Sequence, residues 1–394
     1  MVRRGEGAAV VSWLVVVART KDAIAHFASS GAVILENKGR SCDDWGFMSD
    51  RALHGVNLSG WLTLEPWVSP VLFADSGALG EESLVRSLGK RHYRDLVSEH
   101  RADFIKQTDF VHIAARGFNA VRLPVPWYVF GDDGPEAGPF LGCIEKVDKA
   151  FDWADEISLN LVLALDIAPG SASDQTSLVR NHDDFSHYRN DMVSVLGMLA
   201  KRYATRASFA GIEVADDPAV QVRHGLTLTD GVPIHRLRNY YRDAYDVIRR
   251  EAGDDVRVII PDAGEPASWR HFMAHDRYKN VWLDCHLYHY TDSVKTAGPS
   301  GVRSLVNKSQ KSLRAARRSG LPVMVGKWSA ALPFSDSMTT PEGRIALERV
   351  YISEQLNAFR DCDGWFYQTW KTDGKLSSWD ARVSLASFER RMLA

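Results

Sequence analysis

The sequence predicts a single (β/α)8 barrel of the TIM-barrel class over residues 51–394, preceded by an N-terminal extension of residues 1–50. Three observations carry that expectation. Short apolar runs, bounded by turn residues, recur along the chain as buried strands do. Amphipathic, charged stretches with helical spacing separate them, the alternation expected of a parallel sheet wrapped by helices. The length of 394 residues and the 45% hydrophobic content are enough for one large core. No repeat, low-complexity tract or Gly/Ser/Pro-rich linker divides it.

In chain order, residues 1–50 end in the polar, turn-rich NKGRSCDDWG. The first expected strand is His54–Leu58, followed by a connection of about 60 residues that includes a charged helical stretch, Glu81–Arg116. Further strands are expected at Ala120–Pro124, Asn160–Ile167, Ala210–Ala215 and Val256–Pro261, then at Val281–His286, Pro322–Gly326 and Gly364–Thr369. Helices are expected at Val147–Ile157, Asp191–Tyr203, Ile234–Ala252, Ser300–Ser319 and Pro341–Arg360. Met192, Val195, Leu196, Leu199 and Tyr203 share one face of the second of these.

The bulk composition excludes several functional classes. With 48 basic against 50 acidic residues, the overall charge does not by itself point to a polyanion partner, and no nucleic-acid partner is expected. The cations of 300–319 come without interleaved aromatics and read as a solvated face. The apolar run Ala8–Ala18 follows Arg3 and Arg4 but is too short to span a membrane. No clear cleavage site follows it, so a strand or packing helix of the extension is as good a reading as a signal peptide. Four scattered cysteines, Cys42, Cys143, Cys285 and Cys362, lack metal-ligand spacing. They favour free thiols in a reducing, cytoplasmic setting, with two disulfides in a secreted protein as the alternative. No cofactor motif is present. His286 and His289 lack a third ligand at sensible spacing, so no metal site is expected. Oligomeric state is not legible.

In parallel barrels the chemistry sits at the C-terminal ends of the strands. That rule selects Asn57–Pro70, Arg122, Asp166–Ser173, Asp216 and Asp217, His286–His289, Lys327–Ser329, and Gln368–Lys371. Glu213 falls on the same strand face as Asp217 but lower in the barrel, as a buried paired carboxylate.

These segments carry a resemblance. GVNLSGWLTLEPWVSPVLF from Gly55, FNAVRLPVPWYVF from Phe118, APGS at Ala168–Ser171 and GIEVADDP at Gly211–Pro218 come first. DCHLY at Asp284–Tyr288, VGKWSAAL from Val325 and GWFYQTWKT from Gly364 follow. In this order they resemble glycoside hydrolase family 5, in its exo-β-1,3-glucanase branch, over about residues 54–380. The resemblance implies a retaining mechanism with two glutamates, an acid/base and a nucleophile, about 5 Å apart. It also implies that Glu65 and cleft aromatics such as Trp61, Trp67, Trp328 and Trp370 contact a glucose ring, supported by Arg122, His286 and Tyr288.

The departures from the family pattern fall on the chemistry. The nucleophile position holds Lys327 and the acid/base position Asp217. The asparagine before it is Asp216, and the histidine before APGS is Asp166. Gln368 stands where the family has a tryptophan. An ammonium cannot attack as a carboxylate does, and its charge opposes the positive charge developing at the anomeric carbon. An ion pair of Lys327 with Asp216 or Asp217 is the expected arrangement. The resulting reading is a family 5-like protein with impaired catalysis and a cleft that still takes a β-glucan end or oligosaccharide. Two others stay open. One is an active β-glycosidase with Asp217 as acid and Asp166 or Asp216 as base. The other is a non-carbohydrate interaction scaffold.

Overall fold

The structure, a computed structural model, describes residues 52–135, 138–167, 182–224, 227–229, 231–294, 297–335, 338–374 and 376–388. The chain divides into two units, Met1–Asp50 and Arg51–Ala394. The first, with the expected extension and Cys42, lies outside the described residues, as does the APGS motif.

Eight parallel strands close into a barrel: β1 (Leu53–Asn57), β2 (Ala120–Pro126), β3 (Asn160–Ile167), β4 (Phe209–Glu213), β5 (Arg257–Pro261), β6 (Val281–Leu287), β7 (Val323–Trp328) and β8 (Gly364–Tyr367). Each pairs with its sequence neighbours, and β8 closes on β1. The long β1–β2 connection contains α1 (Glu81–Asp103) and α2 (Gln107–Ala115). The single helical stretch expected there is thus two helices. Around the barrel follow α3 (Ile144–Ile157), α4 (His182–Tyr203), α5 (Ile234–Ala252), α6 (Pro299–Ala316) and α7 (Pro341–Ala358). Between β5 and β6 the described chain forms a 3-10 turn, Pro266–Trp269, in place of a full helix. Trp269, fully buried there, stacks on Tyr241 of α5 and so fills the space a helix would cover. Among the described residues no helix is long and apolar enough to cross a membrane. Cys143, Cys285 and Cys362 are free and buried, which rules out the pair of disulfides.

The barrel interior is layered. Its floor is a cluster of one apolar side chain from each strand: Leu53, Ala120, Val162, Ala210, Ile259, Trp282, Met324 and Phe366. Above the floor the inward positions become polar, with Asn57, Arg122, Glu213 and Asp284 all fully buried. Strand alternation accounts for most of this, since every second residue faces the same side. Strand β7 breaks the alternation. Met324 pairs with Asp284, whereas Lys327 pairs with His286, so β7 spends three residues where β6 spends two. The same extra residue offsets β7 against β8. This bulge turns Lys327 inward and sends Trp328 outward into the core between sheet and helices.

Close backbone approach fixes two glycines. A Cβ on Gly55 would lie 2.2 Å from the Ala120 carbonyl oxygen and 2.8 Å from the Phe366 ring. Gly326, in the bulge, would drive a Cβ to 1.9 Å from an Asp284 carboxylate oxygen. Gly55→Ala is therefore expected to lower stability by about 2 kcal/mol or more, because a strand backbone cannot yield as a side chain can. Urea unfolding checks this, and an unchanged midpoint would contradict the packing described.

Candidate active site

Four strand ends build one ion cluster. Arg122, on β2, is fully buried and aims its guanidinium across the barrel. Its Nε and Nη2 lie 2.7 Å from Glu213 Oε2, Nη1 donates to Asn57 Oδ1 at 2.8 Å, and Nη2 is 3.2 Å from Asp216 Oδ1. The other oxygen of Asp216 meets the Lys327 ammonium at 2.5 Å. Asp216 thus bridges the two cations, and the ion pair expected from the sequence forms with Asp216. The backbone holds it there, since the Asp216 N–H donates to the Leu165 carbonyl of β3 at 2.8 Å.

Protonation follows from this geometry. Burial alone would raise the Asp216 pKa, but Arg122, then Lys327, hold it well below the usual carboxylate range. Burial, then the neighbouring Asp216 charge, push the Asp166 carboxyl well above its ordinary value. Lys327 stays an ammonium: burial opposes its charge, but Asp216 and Asp166 raise its pKa above the ordinary value. Glu65 accepts from Gly60 N at 3.1 Å and Trp67 Nε1 at 2.7 Å; burial raises its pKa against the pull of Lys327.

His286, paired with Lys327 across β6 and β7, is surrounded by carboxylates. Its Nε2 is 3.2 Å from Asp284, 3.7 Å from Asp216 and 3.9 Å from Glu213. Its Nδ1 is 3.8 Å from Asp217. Burial lowers its pKa, but the carboxylates, Asp284 first, overcome this and raise it to about 10. Asp217 stands at the mouth with its side chain 55% exposed and its backbone at φ 47°. Against the desolvation of the surrounding walls, His286 and then Lys327 draw its pKa below the ordinary value. Asp217 is thus drawn toward its ionised form, while Asp166 is shifted the opposite way.

Glu213, Asp216 and His286 could offer ligand atoms within 4.8 Å of one another. Arg122 and Lys327 already supply the positive charge at those oxygens. His289 faces elsewhere, its Nδ1 2.6 Å from Asp292 and its Nε2 2.7 Å from Ser309.

Three of the expected cleft aromatics prove to be core residues. Trp61 is fully buried, stacked on Trp153, with its N–H on the Arg101 carbonyl. Trp370 is 2% exposed and donates to Asp109 at 2.8 Å. Trp328 is fully buried among Phe359, Trp365 and Tyr367 because the β7 bulge turns it outward. None offers a ring face to a ligand. An aromatic rim at the mouth takes their place. Trp379 lies 5.2 Å from Trp67, 5.6 Å from Tyr288 and 5.2 Å from Tyr290, centroid to centroid. Trp67, Tyr288 and Trp379 are half-buried and Tyr290 is exposed. Tyr290 and Trp379 carried no role in the sequence reading. Asp284, two residues before His286 on the same strand face, was legible by alternation as a partner for it.

A family model described as Cellulase (glycosyl hydrolase family 5) matches residues 93–342. The chain belongs to glycosyl hydrolase family 5. Within family 5 it is related to glucan 1,3-β-glucosidases. It is 29% identical over 376 residues to probable glucan 1,3-beta-glucosidase A of Aspergillus fumigatus, covering 85% of this chain and 86% of that protein. It is 30% identical, with the same coverage, to the protein of that name from Aspergillus clavatus. The rutinosidase structure from Aspergillus niger shares the fold, with a TM-score of 0.68 at 18% identity over 84% of this chain and 92% of that one.

The raised pKa of His286 has a measurable consequence. Its ordinary value is 6.5 and its folded value about 10. The stability it contributes is complete below about pH 6.5 and is lost as pH rises through about 10. Ring chemical shifts of His286 followed by NMR are expected to stay flat between pH 5 and 8. A transition near 6.5 would contradict the carboxylate cage.

Proposed function

We propose that this protein is a family 5 barrel in which an ion cluster replaces the catalytic carboxylates, and that its cleft binds a β-glucan end or an oligosaccharide without turning it over efficiently. The observation that carries the proposal is the 2.5 Å contact between Lys327 and Asp216, at the positions where the family pattern has the nucleophile glutamate and the asparagine. An ammonium held there by a buried carboxylate has no lone pair for attack at neutral pH. It also repels the oxocarbenium-like centre that the family's glutamate stabilises. Asp217, ionised, has no proton for a leaving group. Retained sugar binding is supported by Glu65 and by the rim of Trp67, Tyr288, Tyr290 and Trp379, since aromatic rings pair an apolar face with polar edges.

One observation favours a second reading. The Asp166 pKa is raised and the Asp217 pKa lowered, and carboxyls whose environments push them apart are the pattern of an acid and a base. An inverting hydrolase could use Asp166 as acid and Asp217 as base.

The two readings separate in one assay on laminari-oligosaccharides and an activated aryl β-glucoside, with binding followed by calorimetry. The parent is expected to bind oligosaccharide and release no product above background. Lys327→Glu alone is expected to stay silent, because the new carboxylate would face Asp216. Lys327→Glu combined with Asp216→Asn and Asp217→Glu is expected to gain turnover. Parent turnover that is abolished by Asp166→Asn would replace the first reading with the second.

A further inference from the structure

Helix α6 is one-sided in charge. From Pro299 to Gly320 the sequence carries Arg303, Lys308, Lys311, Arg314, Arg317 and Arg318 and no Asp or Glu, in a chain of net charge −2. Two of these cations are engaged: Lys308 with Asp292 at 3.0 Å and Arg317 with Asp361 at 4.0 Å. Arg303, Lys311, Arg314 and Arg318 are exposed. None of the four has an ion-pair partner among the described residues.

Helical periodicity places Arg303, Lys311 and Arg314 within an arc of roughly 80°, and Arg318 follows in the 3-10 turn Arg317–Ser319 at the end of the helix, for a row roughly 22 Å long. Val302, Leu305, Val306, Leu313 and Ala316, all buried, occupy the opposite face and anchor the helix to the barrel. The cations therefore stand at the outward pole, held by a packed helix. At its C-terminal end the row is extended by exposed Arg270, whose neighbour His271 donates its backbone N–H to the Ser319 carbonyl at 3.1 Å.

We propose that this face binds a linear acidic polysaccharide carrying carboxylate or sulfate groups on successive sugars. Charge complementarity supplies the attraction, and unpaired cations lose no partner when they bind. The neighbourhood disfavours other polyanions. Helix α6 itself exposes no large hydrophobic, and those exposed on the adjoining α7, Ile345 and Val350, are aliphatic. Bases would find no exposed Phe, Tyr or Trp ring on these two helices to stack on. The helix is packed against α7 and the Pro266–Trp269 turn, so it is a ridge that cannot enter a nucleic-acid groove. A flexible polysaccharide can lie along such a ridge. This proposal does not depend on the reading of the cleft.

The test is retention and titration of the full chain on polygalacturonate over a salt series, with a neutral β-glucan as reference. Binding to the acidic polymer is expected to weaken steeply with salt, as counterions are released. Lys311→Gln with Arg314→Gln and Arg318→Gln is expected to lose at least roughly tenfold in affinity. Its log–log salt slope should fall by about one for each cation removed. Should that variant fold poorly by circular dichroism, Lys311→Gln alone carries the test with a proportionate loss. Lys90→Gln with Arg91→Gln and Arg94→Gln, exposed cations of α1, are expected to leave binding unchanged. Equal losses in the α1 and α6 variants would reduce the effect to net charge and overturn the proposal. So would absent binding, or tighter binding of duplex DNA or anionic vesicles through the same residues.

Discussion

The upper barrel depends on one carboxylate. Asp216 takes Arg122 on one oxygen and Lys327 on the other, joining strands β2 and β7 through the end of β4. Ions taken out of water in this way are tolerable only with good geometry and satisfied neighbours. The rest of the cluster follows from that requirement. Asp166 is pushed toward its protonated form by burial and by the Asp216 charge beside it. His286 stays charged because four carboxylates surround it. Glu213 occupies the remaining edge of the Arg122 fork.

Beneath the cluster lies an apolar floor, and above it a rim of rings. The floor is set by alternation along eight strands, and it seats the charged layer at a fixed height. The β7 bulge turns one residue inward and the next outward, so that Lys327 reaches the cluster while Trp328 joins the core. Gly326 allows it, because the Asp284 carboxylate packs where a side chain would be and accepts the Gly326 N–H at 2.5 Å. Asp284 in turn supports His286. Backbone irregularity and charge placement are therefore one design.

The barrel was legible because its strands are short apolar runs with few competing explanations, and strand ends shifted by only one or two residues. The missing helix between β5 and β6 was already visible as a gap, since no amphipathic stretch separates Pro261 from Val281. The charged residues were legible by position, at the ends of strands. Their partners were harder to read. Asp216 and Asp217 are adjacent, yet one turns into the barrel and the other, at positive φ, turns to the mouth. Nothing local in the sequence decides which takes Lys327. The tryptophans misled for the opposite reason. A tryptophan in a strand-end motif suits a sugar platform and a packed core equally well, and Trp61, Trp328 and Trp370 found hydrophobic neighbours or buried hydrogen-bond partners instead. The working rim includes Tyr290 and Trp379, which lie outside the strands.

The centre of this family 5 barrel is a closed electrostatic unit. Its most direct test is a double-mutant cycle on Lys327→Met and Asp216→Asn, read as unfolding free energy at pH 7. Removing Lys327 alone leaves Asp216 short of one cation and is expected to cost about 3–5 kcal/mol. Removing both should recover much of that, giving a coupling of about 1.5–3 kcal/mol between the sites. Additive losses would mean that the two side chains do not depend on each other, and the bridge through Asp216 would no longer explain the site.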